Sequence, residues 1–243
     1  MRLPVQASLP TDLGVSPGHH PEHAPEPTRS RRCDATAEDE GGLVDWLWRH
    51  LGMSQAVDKT MVAWATSVAE AELSGALPRR WAHSQGVAAR AAELASALSN
   101  DAGLLAAAAT LHDVGYAPRL VVTGFHPLDG ARFLRDEHGA DEQLVRLVAN
   151  HSFALLEAEE RGLREELEAE FPLLEEPLLV DALVYCDMTT TPDGEPTTAQ
   201  DRVEEIVGRY GADSAVGRFI RRASLEIFAA VERVDAALAT QPR

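Results

Sequence analysis

The stretch "ATLHDVGYAP" ends a run of alanine and leucine on an imidazole and a carboxylate, His112 and Asp113. Two readings fit that ending. A histidine near a helix C-terminus suits the negative end of the dipole, with Gly115 as the cap. Alternatively the pair holds a metal ion, since neighbouring side chains leave a helix about 100° apart and can reach two sides of one cation. Other residues of the same types recur at the edges of apolar segments. His83 lies on the preceding segment with Val87, Leu94 and Leu98 on much the same side, and His126 opens the following one. His151 ends "LVRLVANHS", after Leu144, Leu147 and Val148, and Asp187 follows Leu183 and Val184 in "LLVDALVYCDM". Each alone reads as a satisfied core or cap residue. Burying all six in one bundle is costly unless they are paired or bind metal. Four imidazoles and two carboxylates suffice for one or two divalent transition metals, one carboxylate bridging. Such a mixed N/O set suits Fe, Mn, Ni, Co or Zn better than calcium or magnesium.

The elements that must position these groups are helical. After residue 42 nearly every segment shows apolar residues at helical spacing, closed near a Gly or opened by a Pro or a capping residue. "LVDWLWRHLG", "SQAVDKTMVAWATSVAEAELSG" and "PRRWAHSQGVAARAAELASALS" come first, and Asp101 is placed to cap "AGLLAAAATLHDV". "HPLDGARFLRDEHG", "ADEQLVRLVANHS", "ALLEAEERGLREELEAEF" and "PLLVDALVYCDMT" follow, then "TAQDRVEEIVGRYG", with Thr198 as its N-cap, and a long closing segment. "RLVVTGF" is the one short β-branched run and reads equally as loop. The expected fold is all-α: a helical bundle over 43–243 behind a disordered tail at 1–42, which is rich in Pro, Gly, Ser and charge. His19, His20 and His23 belong to that tail. Trp46, Trp48, Trp64 and Trp81 read as packing residues, and the acidic run Glu157 to Glu176 as a solvated face with Arg161 and Arg164 offering i,i+4 partners.

A net charge of −17 over 243 residues argues against a nucleic-acid polymer as partner, because the counterion-release gain of a basic face is missing. A small phosphorylated substrate stays open, since a bound metal inverts the local field. No run approaches the roughly 18 apolar residues of a membrane span. No signal peptide is legible at the N-terminus, so a cytoplasmic location and no membrane partner are expected. Cys33 and Cys186 lie in dissimilar surroundings and predict no structural disulfide. A homodimer is compatible with the sequence.

"WAHSQGVAARAAELA", "ATLHDVGYAP", "FHPLDGARFL", "VANHS" and "VYCDMT", in that order, resemble the motifs of the HD-domain metal-dependent phosphohydrolases, with the likeness nearest to the branch carrying an HDIG-type site. It covers roughly residues 78 to 210. The resemblance implies that His83, His112, Asp113 and Asp187 hold a first metal. Asp113 bridges to a second completed by His126 and His151, and a water between the ions attacks a phosphoester. Asp113 thereby becomes the central catalytic residue. The chain departs from the cyclic-dinucleotide phosphodiesterases of the superfamily at Tyr116, where they carry Lys, and at His151-Ser152, where they carry a double His; no Gly-Tyr-Pro segment follows. It lacks the acidic pair of the alarmone hydrolases. HD-fold di-iron oxygenases share the same ligands, but those acting on phosphonates carry a Lys after the fourth His, and the only lysine here is Lys59. A non-catalytic sensor is a third reading, against which the complete ligand set speaks. Arg119, Thr189 and Arg202 are the residues expected to meet substrate, with Arg79 and Arg80 behind them.

Overall fold

The computed structural model describes residues 53–98 and 101–240. The proposed tail, its histidines, Trp46, Trp48, Cys33 and the segment 43–52 lie outside them. Eleven α-helices run through the described residues: α1 Met53–Leu73, α2 Pro78–Glu93, α3 Ala95–Leu98, α4 Ala102–Leu111, α5 His126–His138, α6 Glu142–Asn150, α7 Ala154–Arg161, α8 Arg164–Glu170, α9 Pro177–Met188, α10 Ala199–Tyr210 and α11 Ala215–Ala239. Single 3-10 turns at Val114–Tyr116 and His151–Phe153 follow α4 and α6. The β structure among them is one isolated bridge, Thr190 to Pro196. The fold is all-α.

Helix α4 is the axis. Its sequence AGLLAAAATL is apolar nearly all round, as a helix surrounded by others must be. Alanine lets α1, α2, α6 and α9 pack closely about it. Leu73, Leu105, Leu111, Phe125, Leu128, Leu134 and Leu144 fill this core, and Trp64 and Trp81 pack at its edge. A second apolar cluster joins α9 to α10 and α11 through Val184, Met188, Ile206, Phe219 and Ile220. Helix α9 therefore belongs to both, with Leu183 and Cys186 in one and Val184 and Met188 in the other.

Several boundaries differ from the sequence reading. The segment from Pro78 breaks at Leu94 into α2 and α3, and the acidic segment breaks at Gly162, whose φ of 72° only glycine adopts without strain. Asp101 occupies the N-cap of α4, yet its side chain makes no capping bond. Thr198 does cap α10, accepting from the Asp201 amide at 3.1 Å. The acidic run is largely solvated, with Arg161 on Glu157 and Arg164 on Glu168 as i,i+4 pairs, but Glu157 itself is buried. "RLVVTGF" is a loop. Buried Asp129 gathers it, accepting from the amides of Val122, Thr123 and Gly124 at 3.0–3.2 Å and so fixing the approach to His126.

Candidate metal centre

His112 is the C-cap of α4, and Asp113 leads into the 3-10 turn. Gly115 is there for proximity, with no positive φ. A Cβ on it would lie 2.1 Å from the His126 carbonyl oxygen and 2.6 Å from the Gly130 amide. The cap reading of Gly115 is thus corrected: the glycine lets the turn touch the first turn of α5, which brings His126 beside Asp113. A second glycine pair does the same for His83. A Cβ on Gly86 would lie 2.3 Å from the Gly194 oxygen, so the Pro192-Asp193-Gly194 turn packs directly on α2. That contact delivers the Thr191 carbonyl to His83 Nδ1 at 2.9 Å.

All six sequence-chosen residues converge. His83 Nε2 lies 3.1 Å from Asp187 Oδ1 and 3.8 Å from Asp113 Oδ2. His112 Nε2 lies 3.3 Å from Asp113 Oδ2 and 3.9 Å from Asp187 Oδ1. On the other side of the same carboxylate, His126 Nε2 is 3.2 Å from Asp113 Oδ1 and 3.2 Å from His151 Nε2. Two trios have ligand atoms close enough for one ion each: His83, His112 and Asp113, and Asp113, His126 and His151.

The hydrogen bonds around the cluster orient those atoms. His112 Nδ1 donates to Ala109 O at 2.8 Å, His151 Nδ1 to Val148 O at 2.7 Å, and His83 Nδ1 to Thr191 O. A carbonyl on Nδ1 puts the proton there and leaves the Nε2 lone pair facing inward, which is how proteins prepare imidazoles for metal. His112 Nε2 is buried without a hydrogen-bond partner, an orphan that a cation would satisfy.

The charges agree. Burial opposes ionisation of Asp113, but Arg80 and His112 hold its carboxyl well below the usual range. Burial likewise opposes Asp187, and His83 and His112 outweigh it. Burial drives the His126 imidazolium down to about 3 and also lowers that of His151. For His112 burial pushes the same way, yet Asp113 and Asp187 more than offset it, and its pKa is raised. The result is a pair of ionised carboxylates facing imidazoles that cannot all be protonated. These residues fit a divalent metal.

Further residues shape the site. Arg80 donates to Asp113 Oδ2 at 2.6 Å, its guanidinium lies 4.0 Å over the Tyr116 ring, and Tyr116 stacks on His126 at 3.9 Å. Arg80 stands three residues before His83, a spacing that puts both on one helix face. Ser152 donates to Asp187 Oδ2, leaving Oδ1 for His83. Ser152 and the next residue, Phe153, both have left-handed backbones, φ 48° and 63°. Such conformations are strained in non-glycine residues and concentrate at functional sites. No sequence signal marks them. Glu157 is brought in by its helical spacing from Ala154, and Arg161 holds it at 2.6 Å.

A cleft of about 590 Å³ opens beside Asp113, His126, His151 and Asp187, and α10 and α11 wall its far side. Arg202 lines it, buried, with Nε unpartnered. Arg119 and Thr189 do not. The Arg119 guanidinium turns outward to Glu72 at 2.6 Å and to Glu137, and the Thr189 hydroxyl bonds the Tyr185 carbonyl and Arg90. Tertiary ion pairing decides the first, and helix back-bonding the second. Arg79 pairs with exposed Asp193.

No curated protein and no solved structure matches the chain. A family model does, the one described as HD domain, over residues 80–188, a span that holds all six converging residues. Over that span the chain is similar to HD domains.

Proposed function

We propose that this protein is a metal-dependent phosphohydrolase of small phosphate esters. His83, His112, Asp113 and Asp187 would hold one metal, and Asp113, His126 and His151 a second, with Fe, Mn, Ni, Co or Zn the ions their donors suit. The observation that carries the reading is the orientation of the imidazoles: three Nδ1 atoms are tied to backbone carbonyls and the His112 Nε2 is an orphan. Metals bound there would supply a water of lowered pKa and Lewis acidity toward phosphoryl oxygens.

The chain's own residues do the rest. Asp113 turns one oxygen to each half, so a single carboxylate serves both. Arg80 keeps it ionised and limits its rotation. Arg202 offers a cationic N–H to a phosphoryl oxygen at the cleft wall, and the apolar side chains of α10 and α11 exclude water. The arginines of the cleft suit an anionic phosphoryl group, and no lysine follows His151 as it does in the phosphonate oxygenases with the same ligands. Phosphate release should require metal, stop with chelator and return when manganese or iron is restored. Metal-loaded protein that consumes oxygen and releases no phosphate would overturn the reading.

A further inference from the structure

The cleft wall facing the metal-site residues is chemically one-sided. Met188, Ile206, Tyr210, Val216, Phe219 and Ile220 form it, and all but Met188 lie beyond the residues that match the family model. The polar side chains of the lining each spend part of their hydrogen-bonding capacity on a protein partner. Ser152 is on Asp187, Glu157 on Arg161, Arg80 on Asp113, and Arg202 and Arg209 are both on Glu205, at 2.5 and 3.2 Å. The buried polar atom of the lining without a partner is Arg202 Nε, a cationic donor suited to an anion. For a polar substrate body there remain the phenol hydroxyls of Tyr116 and Tyr210 and the guanidinium N–H groups of Arg80 and Arg209 that no bond uses, whereas the surface of Ile206, Val216, Phe219 and Ile220 offers none.

A sugar or ribose placed there would give up water for methyl groups and ring carbons. Each hydroxyl left unpaired costs roughly 5- to 150-fold in binding, whereas each methylene it replaced would gain roughly fourfold. We propose that the substrate of this site is a phosphate monoester of an apolar or aryl-alkyl alcohol, its phosphate held at Arg202 and its body against α10 and α11. The proposal rests on the phosphohydrolase reading. In the reaction the oxygen of water bonds to phosphorus, the ester P–O bond breaks, and the alcohol leaves with a proton. The products are alcohol and inorganic phosphate, and nothing is oxidised or reduced.

The test compares esters of primary alcohols, so that leaving-group chemistry is matched: 3-phenylpropyl phosphate, glycerol 3-phosphate, glucose 6-phosphate and adenosine 5′-monophosphate, with manganese-loaded full-length protein. The phenylpropyl ester should show kcat/KM at least roughly tenfold above each of the others. Val216→Asn, at a half-buried wall position, should narrow that ratio severalfold. A ratio taken on one preparation does not depend on how much of it is folded. Equal rates, a preference for the sugar or nucleotide ester, or a ratio unmoved in Val216→Asn would overturn the apolar-substrate proposal and leave the hydrolase reading standing. No phosphate from any ester would overturn the hydrolase reading itself.

Discussion

His83 and His112 are each 1% exposed and have two ionised carboxylates at hand, Asp113 and Asp187. His126 and His151 face the cleft and have one, Asp113, which they share with the other half. Orientation differs as well. Backbone carbonyls fix His83, His112 and His151, whereas His126 is held by its stack on Tyr116 and, through that ring, by Arg80. A closed half with two negative ligands should bind its ion tightly. An open half with one should bind more weakly and stand nearer the substrate.

The largest effect should follow from removing what the halves share. Asp113→Ala takes the only carboxylate from one half and one of two from the other, and it strands Arg80. Breaking a mostly buried ion pair costs about 3 kcal/mol, so the metal-free variant should melt lower. It should also lose the metal-dependent rise, which for wild type is about 2.7 kcal/mol at a hundredfold excess of metal over Kd, and activity should vanish with it. Thermal melts of both proteins, with chelator and with manganese, check this. Equal responses to manganese would mean that the residues are cap and core groups after all.

Next come variants that separate the halves. His126→Ala and His151→Ala should retain about one metal per chain by elemental analysis, with the loss confined to the open half. Asp187→Asn should weaken the closed half and leave the sites unequal in the opposite sense. Loss of both ions in His126→Ala would show that the halves do not load independently.

How much of this was legible in the sequence depends on whether the cause was local. The six converging residues stood out because imidazoles and carboxylates at the edges of apolar helices are hard to bury singly, and helical spacing gave the fold class. Arg119 was misread because its partner Glu72 lies far back in the sequence on α1, and nothing near Arg119 reports that pairing. Gly115 looked like a helix cap, but its reason is the His126 carbonyl across a tertiary contact. Arg80 was underweighted although its spacing from His83 was in view, because spacing gives a face and not a partner. The left-handed Ser152 has no precursor in composition at all: a serine there is held by the surrounding packing and by Asp187.

The halves should also respond to acid with opposite signs in metal-free protein. His126 is held to about 3, so below an unfolded value near 6.5 the unfolded chain takes up its proton first. Stability from a neutral His126 is present above pH 6.5 and lost as pH falls toward 3, with a limiting slope of about 1.4 kcal/mol per unit. His112 is raised, so its contribution is present below its unfolded value and lost as pH rises through the folded one. Denaturant titrations between pH 4 and 8 should show His126→Asn flattening the acid loss and His112→Asn steepening it. Identical profiles for the two variants would remove the distinction.

The smallest effect concerns the Ser152 hydroxyl, and it tests whether the closed half owes part of its affinity to how Asp187 is held. Ser152→Ala loses the hydrogen bond to Asp187 Oδ2 and keeps a Cβ in a left-handed backbone. Ser152→Gly loses the same bond but relieves that backbone, since glycine adopts φ near 48° at little cost. Relief of one such residue is worth about 1 kcal/mol. The glycine variant should therefore melt higher than the alanine variant without metal. Both should bind the first ion roughly tenfold more weakly than wild type, the usual scale for losing a group that orients a ligand. Competition with a chelating dye reads the affinity, and melts read the stability. If the two variants rank by stability but hold metal as tightly as wild type, the hydroxyl serves only the turn, and the closed half is pre-organised by its carbonyls alone.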